Sequence, residues 1–557
     1  MFRVCASIAF VAAALFITAP ALARPANIAA IDALVDAQQH EDAPGISVAI
    51  SVDGAVVYEN WTGLADIERG VPIDRDTRFH IASISKQFTA FAIMLLRDEG
   101  RLTLDQDIRD FLPEMAARAQ PVTIRHLLNH TSGLREANSL LLLTGQSPDA
   151  PIYADQSLDL IYRQSGGNFA AGTRQEYSNT GYQLLAEIVE RISGQPFAQF
   201  MEDRIFEPLG MTRTFQRVDP YAMIDRVASS YEPRGDGFAN APILSTAMGS
   251  TGIVSDPRDM LRWGHALNTG TIGGVAVIDA MAARSTLPDG RRAIATNGQE
   301  YRNFRGLNTW SHGGSTGGFR SFLLRIPDEG VVITVMGNRS DFLKAAFAFD
   351  VAELFLADRL APLPDADFEP ETGEALDKYV GDYRLFAGVV FSVRRDRDQL
   401  TFATFGSEDV TVLPQRGKGV FALNPAREIG VEFHDFDAGR AVEMRWQVSD
   451  DGFIPAPRVA MQPVPDWPVS TPGLVGTYYN DALQQAVTVY DQNGQLWLRT
   501  GDAQRVALDH YQPDTFRPAG SSSVQRMAFI RNDEEEAQSV LVSTALAINI
   551  AYRRIKD

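Results

Sequence analysis

The chain has 557 residues, 45% hydrophobic and 22% charged, enough apolar material for several packed cores and a length that predicts two to four globular domains. A formal net charge of −19 argues against nucleic acid or anionic membranes as partners and is silent about small substrates. The only cysteine, Cys5, lies in the N-terminal segment, so a chain that loses this segment has neither disulfides nor cysteine-based zinc or redox chemistry.

Arg3, the apolar run Ile8 to Ile17 and the small-residue site Ala21-Leu22-Ala23 have the plan of a secretory signal over residues 1–23. Its apolar core is shorter than the roughly 20 residues of a spanning helix, and no later stretch is long enough. The mature chain is therefore expected to have no membrane span and to be periplasmic or secreted. Residues 24–362 form a mixed α/β region. It opens with a hairpin, Ile46 to Val52 and Ala55 to Tyr58 around the turn Asp53-Gly54. A helix starts near Ser83, with Ile84, Phe88, Phe91, Leu95 and Leu96 at helical spacing and Gly100 at its C-terminal cap. A helix-rich middle includes Gly181 to Ser193. A second hairpin, Gly318 to Ile326 and Val331 to Met336, turns at Pro327-Asp328-Glu329-Gly330.

Ala361-Pro362-Leu363-Pro364 opens a linker, beyond which the chain alternates in strand fashion. Val380-Gly381-Asp382-Tyr383 recurs as Val475-Gly476-Thr477-Tyr478, an offset of 95, and Gln399-Leu400 as Gln495-Leu496, an offset of 96. This predicts two copies of one β module, residues 374–462 and 472–557, separated by the proline-rich stretch Ile454 to Pro468.

Only five of the 51 basic residues are lysine, and Lys86 is the only one before residue 344. It closes the run Ser83-Ile84-Ser85-Lys86. Arginine carries charge permanently, whereas a desolvated lysine can become neutral. Three residues apart at a helix start, Ser83 and Lys86 share one face, and neutral Lys86 could take the Ser83 proton as the hydroxyl attacks an acyl carbon. The helix dipole's positive end favours the developing oxyanion. Tyr177-Ser178-Asn179 ends a loop that feeds an amphipathic helix. A phenol beside an ammonium can shuttle a proton, and an Asn amide can hold a carbonyl. His312-Gly313-Gly314-Ser315 precedes the terminal hairpin, and its paired glycines indicate close approach by a ligand or another backbone. His126 and His130, four apart, lack the intervening glutamate of a zinc-protease helix: position 127 is leucine. No metal and no cofactor are expected.

In this order the three elements resemble the serine β-lactamase and penicillin-binding-protein superfamily, whose signature is Ser-x-x-Lys, Tyr-x-Asn and Lys/His-x-Gly. The likeness is close to class C β-lactamases and D-aminopeptidases. Arg125 to Leu134, Glu207-Pro208-Leu209-Gly210-Met211 and Gly249 to Ser255 resemble it as well. The resemblance implies a β-lactamase/DD-peptidase-like α/β fold, an antiparallel sheet flanked by helices with a helical subdomain, followed by two all-β modules of β-barrel type. It also implies Ser83 as acylated nucleophile, Lys86 as proton acceptor, Tyr177 as proton relay, Asn179 and His312 as substrate-orienting groups, and the N–H groups of Ser83 and Ser315 as oxyanion hole. Gly313 and Gly314 belong to the substrate strand. Two departures stand out. Phe169-Ala170-Ala171-Gly172 lacks the proline often found in the loop before Tyr-x-Asn. His312 stands where β-lactamases carry lysine, and a histidine of ordinary pKa is mostly neutral at pH 7, so it would titrate in the acid limb of activity. The expected function is an exported serine hydrolase acting through an acyl-enzyme at Ser83 on small amides or peptides. The alternatives are a carboxylesterase and a penicillin-binding envelope protein that turns over poorly.

Overall fold

The computed structural model describes residues 27–555 apart from 41, 147–149, 363–367, 387–388, 406–409, 424–429, 450–451, 460–471, 501–503, 513, 520–523 and 545. The segment expected to be a secretory signal, the end of the first linker and most of the second proline-rich stretch lie outside the described residues.

After α1 (Ile28–Asp36), β1 (Ile46–Val52) and β2 (Ala55–Thr62) form the first expected hairpin. Asp53 and Gly54 turn it with φ of 49° and 82°, the paired positive values that match the twist of the flanking strands. The later strands are β3 (Ala295–Thr296), β4 (Gln299–Phe304), β5 (Leu307–Thr316), β6 (Phe319–Ile326) and β7 (Val331–Gly337). Together they make one antiparallel seven-stranded sheet in the order β3-β4-β5-β6-β7-β1-β2. The first hairpin joins the last through β1 and β7, with Val48 opposite Val335 and Ile50 opposite Ile333.

Alternation in these strands feeds two cores. On one face Val48, Ile50, Leu324 and Val335 pack against α1 and α6 (Lys344–Phe355). On the other, Ala49, Leu323, Val332 and Met336 meet α2 (Ser85–Asp98) and α5 (Pro257–Thr269). Phe88 of α2 stacks on Trp263 of α5 at 4.1 Å, and the indole N–H donates to Gln87 Oε1 at 2.9 Å. The apolar spacing of α2 predicts one buried face, yet every residue from Ser85 to Leu96 is buried. The helices α4 (Asn179–Ser193) and Gly274–Ala282 pack on this helix, and Trp263 of α5 meets Phe88 and Phe91, so its small and polar positions are enclosed too.

The two C-terminal segments are all-β. In the first, nine strands form one sheet whose outer strands, Thr411–Leu413 and Gln415–Gly417, are neighbours in sequence across Pro414. The second is a closed barrel of eight strands between Gly476 and Ile555. The repeated motifs occupy equivalent places. Tyr383 donates its hydroxyl proton to the Tyr379 carbonyl and Tyr478 to the Leu474 carbonyl, both at 2.8 Å and both four residues back. Arg458 covers Gly381 as Arg554 covers Gly476, each with Nε 2.9 Å from where a Cβ would stand. One expectation needs correcting. Residues 454–459 are not linker but part of the strand Gly452–Val459, which pairs with Arg440–Ser449 and with Gly381–Phe386. Pro455 and Pro457 sit within it, and composition alone misread them.

Candidate active site

Ser83 sits in a single 3-10 turn, Ala82–Ile84, that runs directly into α2. Ala82, just before it, has φ of 50°, a left-handed backbone that an L-residue adopts only at a cost. The turn presents the Ser83 side chain, which is partly exposed among buried neighbours. Strand β5 packs straight onto it. A Cβ on Gly314 would lie 2.1 Å from the Ile81 carbonyl oxygen and 3.2 Å from the Ala82 Cβ, so this strand position requires glycine.

Lys86, the second residue of α2, is fully buried. Its Nζ lies 3.2 Å from Ser83 Oγ, 2.8 Å from Asn179 Oδ1 and 2.8 Å from the Ser250 carbonyl. Burial pulls its pKa down to about 7, against a smaller opposing pull from Glu136. An amine with that pKa is substantially neutral near pH 7 and can accept a proton. Nζ also lies 4.9 Å from the centre of the Tyr177 ring. Burial raises the Tyr177 pKa far above the ordinary phenol value, and a hydrogen bond with Ser83 opposes the shift. The phenol is therefore a proton donor in the resting site, not a phenolate base.

Asn179 is the first residue of α4. Its side chain bridges two charges, accepting from Lys86 and donating through Nδ2 to Glu136 Oε1 at 3.0 Å. Glu136 is buried and caps α3 (Ala137–Leu143) by accepting from the Ser139 N–H at 2.9 Å. Burial raises its pKa. His130 accepts from the Ser178 N–H at 3.2 Å and lies tilted against Tyr177 with ring centres 4.5 Å apart, while His126 accepts from the Thr123 N–H in a helix cap. Both imidazoles act as structural acceptors beside the site.

On the opposite wall, β4 pairs with β5 only as far as Ser311, whereas β6 continues to Thr316. Residues His312 to Thr316 therefore lack a β4 neighbour on one edge. His312 is buried, and its Nδ1 lies 2.8 Å from the Gly313 carbonyl. Desolvation first, and then Lys86, hold its pKa at about 3. This corrects the expectation of a histidine titrating near neutrality: His312 is neutral across the working range. Ser315 is exposed, and its Oγ accepts from Lys344 Nζ at 2.7 Å.

The structure thus brings all the expected site residues together. Sequence reasoning missed Glu136, Lys344 and the Ser250 carbonyl. Lys344 carried the same signal as Lys86, a lysine in a chain that otherwise uses arginine. Glu136 carried none, because an acid before a short helix reads as an ordinary cap.

Tyr177 and His130 also line a cavity of about 630 Å³. Its far walls come from the β segments, including Arg384, Phe453 and Arg526. Ser83 is not on its surface, and Tyr177 is the link between the cavity and Ser83.

Residues 31–355 match the Beta-lactamase family. This is more than half of the chain, and the chain belongs to that family. It is similar to a D-aminopeptidase from Brucella anthropi, 29% identical over 303 residues, 54% of this chain and 57% of that protein. The chain thus spans under two thirds of the length of that relative. It is also similar to the D-amino acid amidase from Ochrobactrum anthropi SV3, with a TM-score of 0.52, 25% identity and coverage of 59% of this chain and 98% of that one. The octameric penicillin-binding protein homologue from Pyrococcus abyssi shares the fold at a TM-score of 0.54 and 22% identity, covering 86% of this chain and 99% of that one.

Proposed function

We propose that the chain is an exported serine hydrolase that cleaves small amides or peptides, D-residues included, through an acyl-enzyme at Ser83. The observation that carries this reading is the buried Lys86 amine, with its pKa pulled to about 7 and its Nζ 3.2 Å from Ser83 Oγ. As Ser83 Oγ bonds to the acyl carbon, its proton passes to Lys86, and the N–H groups of Ser83 and Ser315 hold the oxyanion. Tyr177 gives its proton to the departing amine as the C–N bond breaks and regains one from Lys86. Water then attacks the ester by the same path in reverse, releasing the acid and restoring Ser83. Asn179 fixes Lys86, and His312 to Ser315 offer an open strand edge to the substrate backbone. Similarity to a D-aminopeptidase and a D-amino acid amidase supports the choice of amides.

A neutral His312 in place of a permanent cation favours this over efficient β-lactam turnover. A carboxylesterase remains the second reading, because the same groups cleave activated esters. A panel of D- and L-amino-acid anilides, short nitrophenyl esters and a chromogenic cephalosporin separates them. D-anilide hydrolysis abolished by Ser83→Ala supports the proposal. Hydrolysis of esters alone overturns it.

A further inference from the structure

The β segments place positive charge in the cavity beside Tyr177. Five arginines and three glutamates line it, and most of the acids are already matched. Arg174 pairs with Glu176 at 3.2 Å, and Arg291 pairs with Asp289 at 2.5 Å while donating to the Phe453 carbonyl at 2.9 Å. Glu443 pairs with Arg445 at 2.7 Å. Three guanidinium groups are left without an acidic partner among the described residues. Arg292 touches only the Thr286 hydroxyl at 3.4 Å, and Arg526 donates to the Asn549 side-chain oxygen at 3.2 Å. The Arg384 side chain, on a strand whose backbone pairs at Val390, has no hydrogen bond or ion pair among the described residues.

The three come from three different parts of the chain: Arg292 from the family region, Arg384 from the nine-stranded sheet and Arg526 from the closed barrel. In a protein of net charge −19 such a concentration of unmatched cations is locally opposed to the overall field. Arginine at each position offers planar, bidentate donors suited to carboxylate. The remaining acid, Glu300, has no ion pair among the described residues; burial disfavours its charged form, and Arg302 and Lys344 oppose that shift. A negative group on a substrate in this cavity is therefore matched by the arginines.

We propose that Arg292, Arg384 and Arg526 form a carboxylate-recognition subsite, so that the enzyme prefers amide or peptide substrates that carry a carboxylate away from the scissile bond. This rests on the hydrolase reading above, and it assigns to the C-terminal modules a direct part in substrate choice. The carboxylate has two sources, an acidic side chain or a free C-terminus, and they are separable.

The test compares kcat/KM for D-glutamyl against D-alanyl p-nitroanilide, and for D-alanyl-D-alanine against its C-terminal amide, in the full-length protein. In at least one pair the anionic member is expected to be favoured. That preference should fall about tenfold in an Arg384→Ala/Arg526→Ala variant and weaken with added salt, as screened charge requires. Arg384→Lys should retain part of it. The result that overturns the proposal is a preference that is absent in the wild type or unchanged in the double variant. Glutarate provides a readout independent of turnover: it should raise the wild-type melting temperature more than that of the double variant. Equal shifts, or none, refute the subsite even if no anilide is cleaved, whereas a selective shift without hydrolysis faults only the hydrolase reading.

Discussion

The backbone N–H of Glu136 donates to the carbonyl of Leu546 at 3.2 Å, tying the closed barrel to the segment that supports the active site. The connection continues inward. Glu136 Oε1 accepts from Asn179 at 3.0 Å, and Asn179 Oδ1 accepts from Lys86 at 2.8 Å. Asn168 clamps the same barrel loop, donating to the Leu546 carbonyl at 2.9 Å and accepting from the Ile548 N–H at 3.0 Å. Arg135 adds bonds to the Ile548 and Asn549 carbonyls, each at 3.2 Å. The last module is therefore three hydrogen bonds from the amine beside Ser83.

Glu136→Gln tests that relay. The Glu136 charge raises the Lys86 pKa, so its removal should move the acid limb of kcat/KM to lower pH. Asn168→Ala should lower kcat by roughly three- to tenfold with KM nearly constant, because it loosens support without touching substrate. An unmoved acid limb in Glu136→Gln would detach this carboxylate from the base.

Ser83→Ala should abolish both hydrolysis and labelling by a fluorophosphonate probe. Lys86→Arg should be slowed by about 10²–10⁴-fold, since arginine keeps the charge and cannot accept the proton. Labelling that persists in Ser83→Ala would place the nucleophile elsewhere.

The pH profile follows from two burial effects. Lys86 must be neutral to accept a proton, and its pKa is lowered to about 7, so activity should decline as pH falls through that value. His312, held at about 3, stays neutral over the same range and adds no limb. A His312→Asn variant should retain the acid limb, whatever its rate. Loss of the limb in that variant would return the titration to His312.

Tyr177→Phe should separate substrates by leaving group. An amine must be protonated to leave, whereas nitrophenolate leaves without a proton. Anilide hydrolysis should fall by about 10²-fold or more, and acylation by nitrophenyl esters, read as the burst of released nitrophenolate, by much less. Equal losses in anilide hydrolysis and burst rate would argue that Tyr177 only shapes the site.

Gly314→Ala examines the contact between strand and nucleophile turn. Its methyl would meet the Ile81 carbonyl at 2.1 Å, so strand or turn must shift, at about 1–3 kcal/mol. A lowered melting temperature together with slowed acylation is expected. Wild-type acylation would show that the two elements are not in register for the reaction.

The local features were legible because their causes are local. Asp53-Gly54 marks the first hairpin through backbone preference, Pro327 to Gly330 marks the last, and Ser83 and Lys86 share a face because three residues nearly complete a helical turn. The repeated Val-Gly-x-Tyr motif was visible because each copy makes the same short-range tyrosine bond. The rarity of lysine singled out Lys86 before any contact was known.

What only the tertiary structure decided is the environment of those groups. A pKa near 7 for Lys86 needs the burial that Tyr177, α4 and the segment carrying Ser250 impose together. His312 lost its expected titration for the same reason, since desolvation is a property of packed neighbours and not of a motif. Glu136 meets Asn179 across 43 residues and Leu546 across a far longer separation, contacts that no periodicity encodes. The sequence by itself determined which groups could do the chemistry, and the fold decided their charge states and what stands around them.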